Sequence, residues 1–176
     1  MKYLIILSVI FLPVLVQAQK NDDLIHWNKR QQLSWSDYQG KAESDAGAAA
    51  STATYLGVEY NFKDGKLGYV ITCSFSRSRS WGLHKNDYIL SHEQGHFDIA
   101  EIFARKLHQR LKAYQIDKKT YQTDLRDIYE NTMDEKEEMQ NRYDRETNQS
   151  INKEKQAEWL RKIGEELEKL KEYANY

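Results

Sequence analysis

Leu56-Gly-Val-Glu-Tyr-Asn-Phe-Lys-Asp-Gly-Lys-Leu-Gly-Tyr-Val-Ile-Thr-Cys-Ser-Phe75 is the stretch on which the fold turns. Leu56, Val58, Tyr60 and Phe62 share one parity, and beyond a polar break Leu67, Tyr69, Ile71, Cys73 and Phe75 share another. Side chains that recur every second residue line one face of an extended chain, so both runs predict strands. Asp64-Gly65 in the break supplies the positive backbone φ of a tight hairpin turn, which makes the pair antiparallel.

Downstream the period changes. Ala100, Phe103, Leu107 and Leu111 follow helical spacing, which predicts a long helix from about Asp87 to Tyr114. A second, heavily charged helix is expected from about Tyr121 to Tyr143. A third, from about Asn152 to Tyr173, carries Trp159, Ile163, Leu167 and Leu170 on one face, a stripe expected to pack on its own domain. Upstream, Leu33-Ser-Trp-Ser-Asp-Tyr-Gln-Gly40 roughly alternates, predicting a short strand, and a loop follows through the small residues Ala46 to Ala50. Strands first and helices after indicate an α+β fold around one core. No proline, repeat or linker interrupts residues 19–176, so they are read as a single domain.

Residues 1–18 differ from the rest. Lys2 gives a positive start, Tyr3 to Val16 is almost wholly apolar, and Val16-Gln17-Ala18 places small residues around a cleavable bond. This is the pattern of a signal peptide cut after Ala18, and it predicts export to the periplasm or beyond. The apolar run, interrupted by Pro13, falls short of the roughly 20 residues that span a bilayer. No cysteine follows it to carry a lipid, so no stable membrane anchor is expected after cleavage. A net charge of −1 favours neither nucleic acid nor an anionic membrane surface as partner. Cys73 is the single cysteine, which excludes an internal disulfide, and its alternating neighbourhood makes it a small buried hydrophobe.

Chemistry concentrates in His92-Glu93-Gln94-Gly95-His96. Four residues advance a helix by about 400°, so the two imidazoles project from one face and can meet a single tetrahedral zinc ion. Glu93 sits about 100° around from His92, beside the metal, where a carboxylate can act as general base. Peptide hydrolysis is the reaction this pattern serves. A third ligand must come from elsewhere, because Asp98 and Glu101 lie about 120° or more from the histidine face. Asp144 and Glu146 are the candidates, in a Tyr143–Ser150 segment whose polar, cap-forming residues read as a break in the helix. His108 is expected to face away and be solvated; His26 and His84 fall in segments read as irregular and are left out of the site.

In chain order, Leu33–Gly40, Ser80-Trp81, His92-Glu-Gln-Gly-His-Phe-Asp-Ile-Ala-Glu101 and Tyr143-Asp-Arg-Glu-Thr147 with Gln156 and Trp159 resemble a bacterial secreted zinc-dependent protease family. That family is catalogued as domain of unknown function 922. The resemblance implies a zincin-like fold, Zn2+ as cofactor on His92 and His96, Glu93 as catalytic residue, and a protein or peptide substrate. In zincins generally the substrate lies beside an edge strand, here one that the Thr52–Phe75 hairpin could provide. One position departs from the family pattern: Gln149 stands where a histidine is expected two residues after Thr147. If that histidine is a ligand, Gln149 is a poorer donor and either metal affinity falls or Asp144 substitutes; if it steadies an oxyanion, an amide can still donate. The departure sets an alternative beside hydrolysis, a weakened or inactive zincin-fold binding or scaffold protein of the cell envelope. Tyr143 assists an oxyanion only if its hydroxyl reaches the centre.

Overall fold

Alternation in the hairpin translates directly into burial. In the computed structural model, which describes residues 23–29, 32–42, 47–63 and 66–176, strands β3 (Thr54–Lys63) and β4 (Lys66–Ser76) pair antiparallel. Leu56 faces Cys73 and Val58 faces Ile71, and Leu56, Ile71, Cys73 and Phe75 are buried. Lys63 pairs with Lys66, so only residues 64 and 65 join the strands. The Asp64-Gly65 turn and the expected signal peptide lie outside the described residues.

A short strand β1 (Leu24–His26), which the sequence did not suggest, pairs with the other edge of β4, and His26 therefore lies in a strand. The order β1-β4-β3 leaves β3 on the outside. Two residue pairs, Ala50 with Gly82 and Ser51 with Trp81, form a second small sheet from β2 (Ala50–Ser51) and β5 (Trp81–Gly82).

The strand expected at Leu33–Gly40 is instead a 3-10 turn over Trp35–Asp37. Asp37 is the reason: its carboxylate accepts from both the backbone N–H and the hydroxyl of Ser34, at 2.8 Å each, and local capping of this kind outcompetes extension. Leu33 and Tyr38 are still buried, as alternation suggested, but from the two ends of a turn.

Helix α1 (Asp87–Ala113) begins where Asn86 accepts from the Ile89 N–H, a side-chain N-cap. It runs through the middle of the molecule, with β3 and β4 on one side and α2 (Tyr121–Thr147) and α3 (Lys153–Lys169) on the others. That position buries Phe97, Ile99, Ile102, Phe103 and Leu107 around nearly its whole circumference. The apolar stripe of α3 packs inward through Trp159 and Ile163, and the chain ends in a 3-10 turn over Lys171–Tyr173. No helix of the described residues is long and apolar enough to cross a membrane.

Helix α2 does not break at Tyr143. It continues one further turn to Thr147, whose hydroxyl bonds back to the Tyr143 carbonyl, and stops at Asn148, Gln149 and Ser150, all at positive φ. Asp144 is therefore a helical residue, one turn beyond Gln140, and points where α2 points.

Candidate metal centre

The antiparallel pairing of α1 and α2 sets Asp144 opposite His92 and His96. Asp144 Oδ1 lies 3.1 Å from His92 Nε2 and 3.0 Å from His96 Nε2. His92, His96 and Asp144 could hold a metal ion, with one ligand atom from each within 4.8 Å of the others. Glu146, the other acid considered, is turned away: its Oε2 accepts from Trp159 Nε1 at 2.8 Å and ties α2 to α3. Asp98 and Glu101 lie on the far side of α1, as helical geometry required, bonded to Trp27 and Arg105 respectively.

Gln140, which the sequence reading passed over, decides the state of His96. Its Nε2 donates to the His96 carbonyl at 2.9 Å, which fixes the amide and leaves Oε1 facing His96 Nδ1 at 2.5 Å. A carbonyl oxygen can only accept, so Nδ1 carries the hydrogen and Nε2 presents its lone pair towards Asp144. Something positive must then lie between Nε2 and the carboxylate. Without metal it is a proton: burial opposes the charge, but the hydrogen bond and charge of Asp144, with Glu93 and Gln140, hold the His96 pKa up at about 9. Asp144 is held well below the usual carboxylate range, since the two imidazoles more than offset its own burial.

The donor set fits a zinc-type ion. Two donors at about 2.0–2.1 Å from a tetrahedral centre lie roughly 3.3–3.4 Å apart, a few tenths of an ångström more than the separations here. Two imidazoles and one carboxylate are also the donor types that leave a fourth position open in catalytic zinc sites.

Behind the histidines stands Tyr143, fully buried. Its ring stacks on His92, centroids 4.5 Å apart, and its hydroxyl donates to the His92 carbonyl at 3.2 Å. A Cβ on Gly95 would come within 2.6 Å of that hydroxyl, which explains the glycine in the motif. Tyr143 thus sets the histidines from behind and does not aim its hydroxyl at the centre.

Glu93 is buried beside the donors. Its Oε2 accepts from Thr52 Oγ1 at 2.6 Å, and that hydroxyl is 2.9 Å from Tyr38 Oη. Thr52 carries no sequence signal and Tyr38 only its place in the Leu33–Gly40 motif, because both reach Glu93 only through the tertiary fold. These groups open on a cleft of about 860 Å³ between the residue 48–54 segment and α2, with His92, Glu93 and His96 as its floor. Gln149 lies on the cleft wall.

With this geometry in view, comparison with known proteins adds one finding. A family model described as a bacterial protein of unknown function, DUF922, matches residues 19–150, most of the chain. The chain belongs to this family. No curated protein and no solved structure matches it. The segment matched by the DUF922 model contains every member of the centre, from Tyr38 and Thr52 to Asp144 and Gln149, while α3 lies outside it.

Of the remaining histidines, His84 is exposed in a bend, as expected. His108 is not solvated as the sequence suggested: its Nδ1 is 3.0 Å from the Tyr173 carbonyl, and Tyr69, Tyr173 and Tyr176 surround its ring. The C-terminal turn folds back over it, a long-range contact that helical spacing alone does not register.

Proposed function

We propose that this DUF922 protein is an exported, zinc-dependent metallopeptidase. The observation that carries the reading is the convergence of His92, His96 and Asp144 beside a buried, Thr52-bonded Glu93 on the floor of an open cleft. Zinc bound by the three donors supplies a Lewis acid and a water acidified to a pKa of about 7.

The chain's own groups do the rest. Thr52 occupies one oxygen of Glu93 and leaves the other to accept a proton in the cleft and return it to a leaving amine. Gln140 and Tyr143 keep His96 and His92 in ligating orientation, as metal-bound histidines require of their neighbours. With Asp144 as third ligand, Gln149 in place of the expected histidine costs the metal no donor, and from the cleft wall its amide can still donate to an oxyanion. This favours an active site over the scaffold alternative.

Zinc content and peptide cleavage of the mature chain, beside Glu93→Gln, test the proposal. Near-stoichiometric zinc in both proteins is expected, with cleavage falling by about 10²–10⁴ in the variant, the usual worth of a general base. Zinc without cleavage in the unmodified chain would return the protein to the scaffold reading. Absence of zinc from both would remove the metal centre.

A further inference from the structure

Of the three cations that line the same cleft and that the proposed chemistry leaves unused, Lys41 and Arg79 are exposed and Lys136 is buried. Lys136, two helical turns before Asp144 on α2, is only 7% exposed and lines the cleft. Among the described residues no carboxylate pairs with it and no group accepts a hydrogen bond from it. Of the neighbouring acids, Glu135 binds Arg110 at 2.7 and 2.8 Å, and Glu137, exposed on the same cleft, accepts from Asn141 at 3.4 Å and does not pair with the lysine. The Cys73 thiol feels the lysine's charge, but burial keeps that thiol neutral.

Exposed ammonium groups on this protein do find partners, as Lys155 with Glu158 and Lys169 with Glu166. Lys136 has no such partner: its alkyl stem is buried while its charged head opens on the cleft, free to meet a ligand there. The ammonium is not sealed off, for it is absent from the buried polar atoms that lack a partner. The open space beside it is the cleft.

Position gives the charge a meaning. Beyond Lys136 the cleft walls close, since Tyr129 on α2 donates to the Leu56 carbonyl of β3 at 2.9 Å and Tyr60 donates to the Leu125 carbonyl at 3.3 Å. Lys136 therefore stands near the blind end, two helical turns along α2 from Asp144 above the cleft floor. Eight helical residues span about 12 Å, and an extended peptide covers roughly 3.3 Å per residue.

We propose that Lys136 is a specificity residue that binds a substrate carboxylate two to four residues from the bond placed at the centre. The inference rests on the peptidase reading and sharpens it, from peptides in general to those that bring a negative charge to the blind end. A free C-terminus and an Asp or Glu side chain both offer that carboxylate.

Titration calorimetry on the zinc-supplemented mature chain separates the sources. The probes are N-acetyl tetraalanine as acid and as amide, and the amide with Glu or with Gln in its last two positions. At least about tenfold tighter binding is expected for the free acid over its amide, or for Glu over Gln, the first marking a terminal and the second a side-chain carboxylate. Lys136→Met should erase the preference and Lys136→Arg should keep part of it, with thermal unfolding used to confirm that both variants fold. Equal or undetectable binding of every pair, or a preference that survives Lys136→Met, overturns the inference. Hydrolysis, scored separately against Glu93→Gln, keeps the two readings apart. A preference without hydrolysis retains Lys136 and loses the peptidase, whereas hydrolysis without preference does the reverse.

Discussion

Helix α1 carries two ionic clusters, one buried and one open to the cleft, and they are built on opposite principles. Towards its C-terminal half, Arg105 donates to Glu101 at 2.8 Å and to the Leu167 carbonyl at 2.7 Å, and lies over the Trp27 ring; Tyr176 closes the second oxygen of Glu101 at 2.5 Å. One cation meets one anion and the remaining valences go to backbone and phenol. Towards its N-terminal half, two imidazoles crowd a single oxygen of Asp144, and His92 Nδ1 is buried without a partner. The first cluster is complete as it stands, whereas the second has donors directed at one point and nothing of the chain's own to occupy it. Buried charge alone does not mark a functional site; an unclosed donor set facing a cleft does.

The sharpest way to break this comparison is to unpair the closed cluster. Glu101→Ala leaves the buried Arg105 without its hydrogen-bonded ion-pair partner, and a loss of about 3–5 kcal/mol of stability is expected, read by urea or thermal unfolding. Zinc bound per folded molecule should stay as it was. If Glu101→Ala instead removed zinc at constant stability, the division of α1 into a structural and a ligating half would be wrong.

The two halves also differ in how far the sequence announces them. His92, His96 and the hairpin parity are local patterns, set by periods of 3.6 and 2, and both stand in the structure where the pattern put them. Asp144 was visible only as one of several acids, because the choice between it and Glu146 depends on α2 remaining helical to Thr147. The polar run Asp144–Ser150 looked like a helix end, and side-chain propensity was outweighed there by Tyr143 packing on His92 of α1 and Trp159 of α3 and by the Thr147 hydroxyl bonding back to the Tyr143 carbonyl. Gln140 and Thr52 had no signal at all, and Tyr38 stood only inside the Leu33–Gly40 motif, with nothing to tie it to Glu93. Each acts across at least a dozen residues of separation, and a neutral amide or hydroxyl is too common a residue for its presence to point anywhere. The misjudged Leu33–Gly40 strand failed for the reverse reason: a local Ser34–Asp37 bond overrode a fair alternation.

A smaller change probes how closely the open half is fitted. Gly95→Ala drives a methyl group to within 2.6 Å of the Tyr143 hydroxyl, and the tyrosine is locked between His92 and Trp159, so the ring cannot yield freely. A cost of about 1–3 kcal/mol is expected, typical of overpacking. Unlike Glu101→Ala, this cost should come with weaker zinc binding, because the displaced ring is the one that sets the histidines. Gly164→Ala, where a Cβ meets nothing within 4 Å, is the matched control and should leave both quantities unchanged or slightly improve stability.

The finest distinction concerns a proton. In the metal-free protein His96 is charged at neutral pH, its pKa raised from the ordinary value of about 6.5 to about 9. A raised histidine pKa contributes stability that is complete below about 6.5 and fades as pH rises through about 9, so the metal-free protein should weaken across that window. Metal binding must run the other way, because His96 has to lose the Nε2 proton before it can ligate. Zinc affinity should therefore rise with pH up to about 9 and level off above it. At pH 7, calorimetry in buffers of different ionisation enthalpy should record close to one proton released from His96 per zinc bound. Gln140→Leu removes the acceptor that fixes the imidazole, and zinc affinity is expected to fall by about 10- to 100-fold. If proton release were absent in the unmodified protein, the lone pair that Gln140 turns towards Asp144 would not be where the metal binds, and the open half of α1 would have to be read as a second closed one.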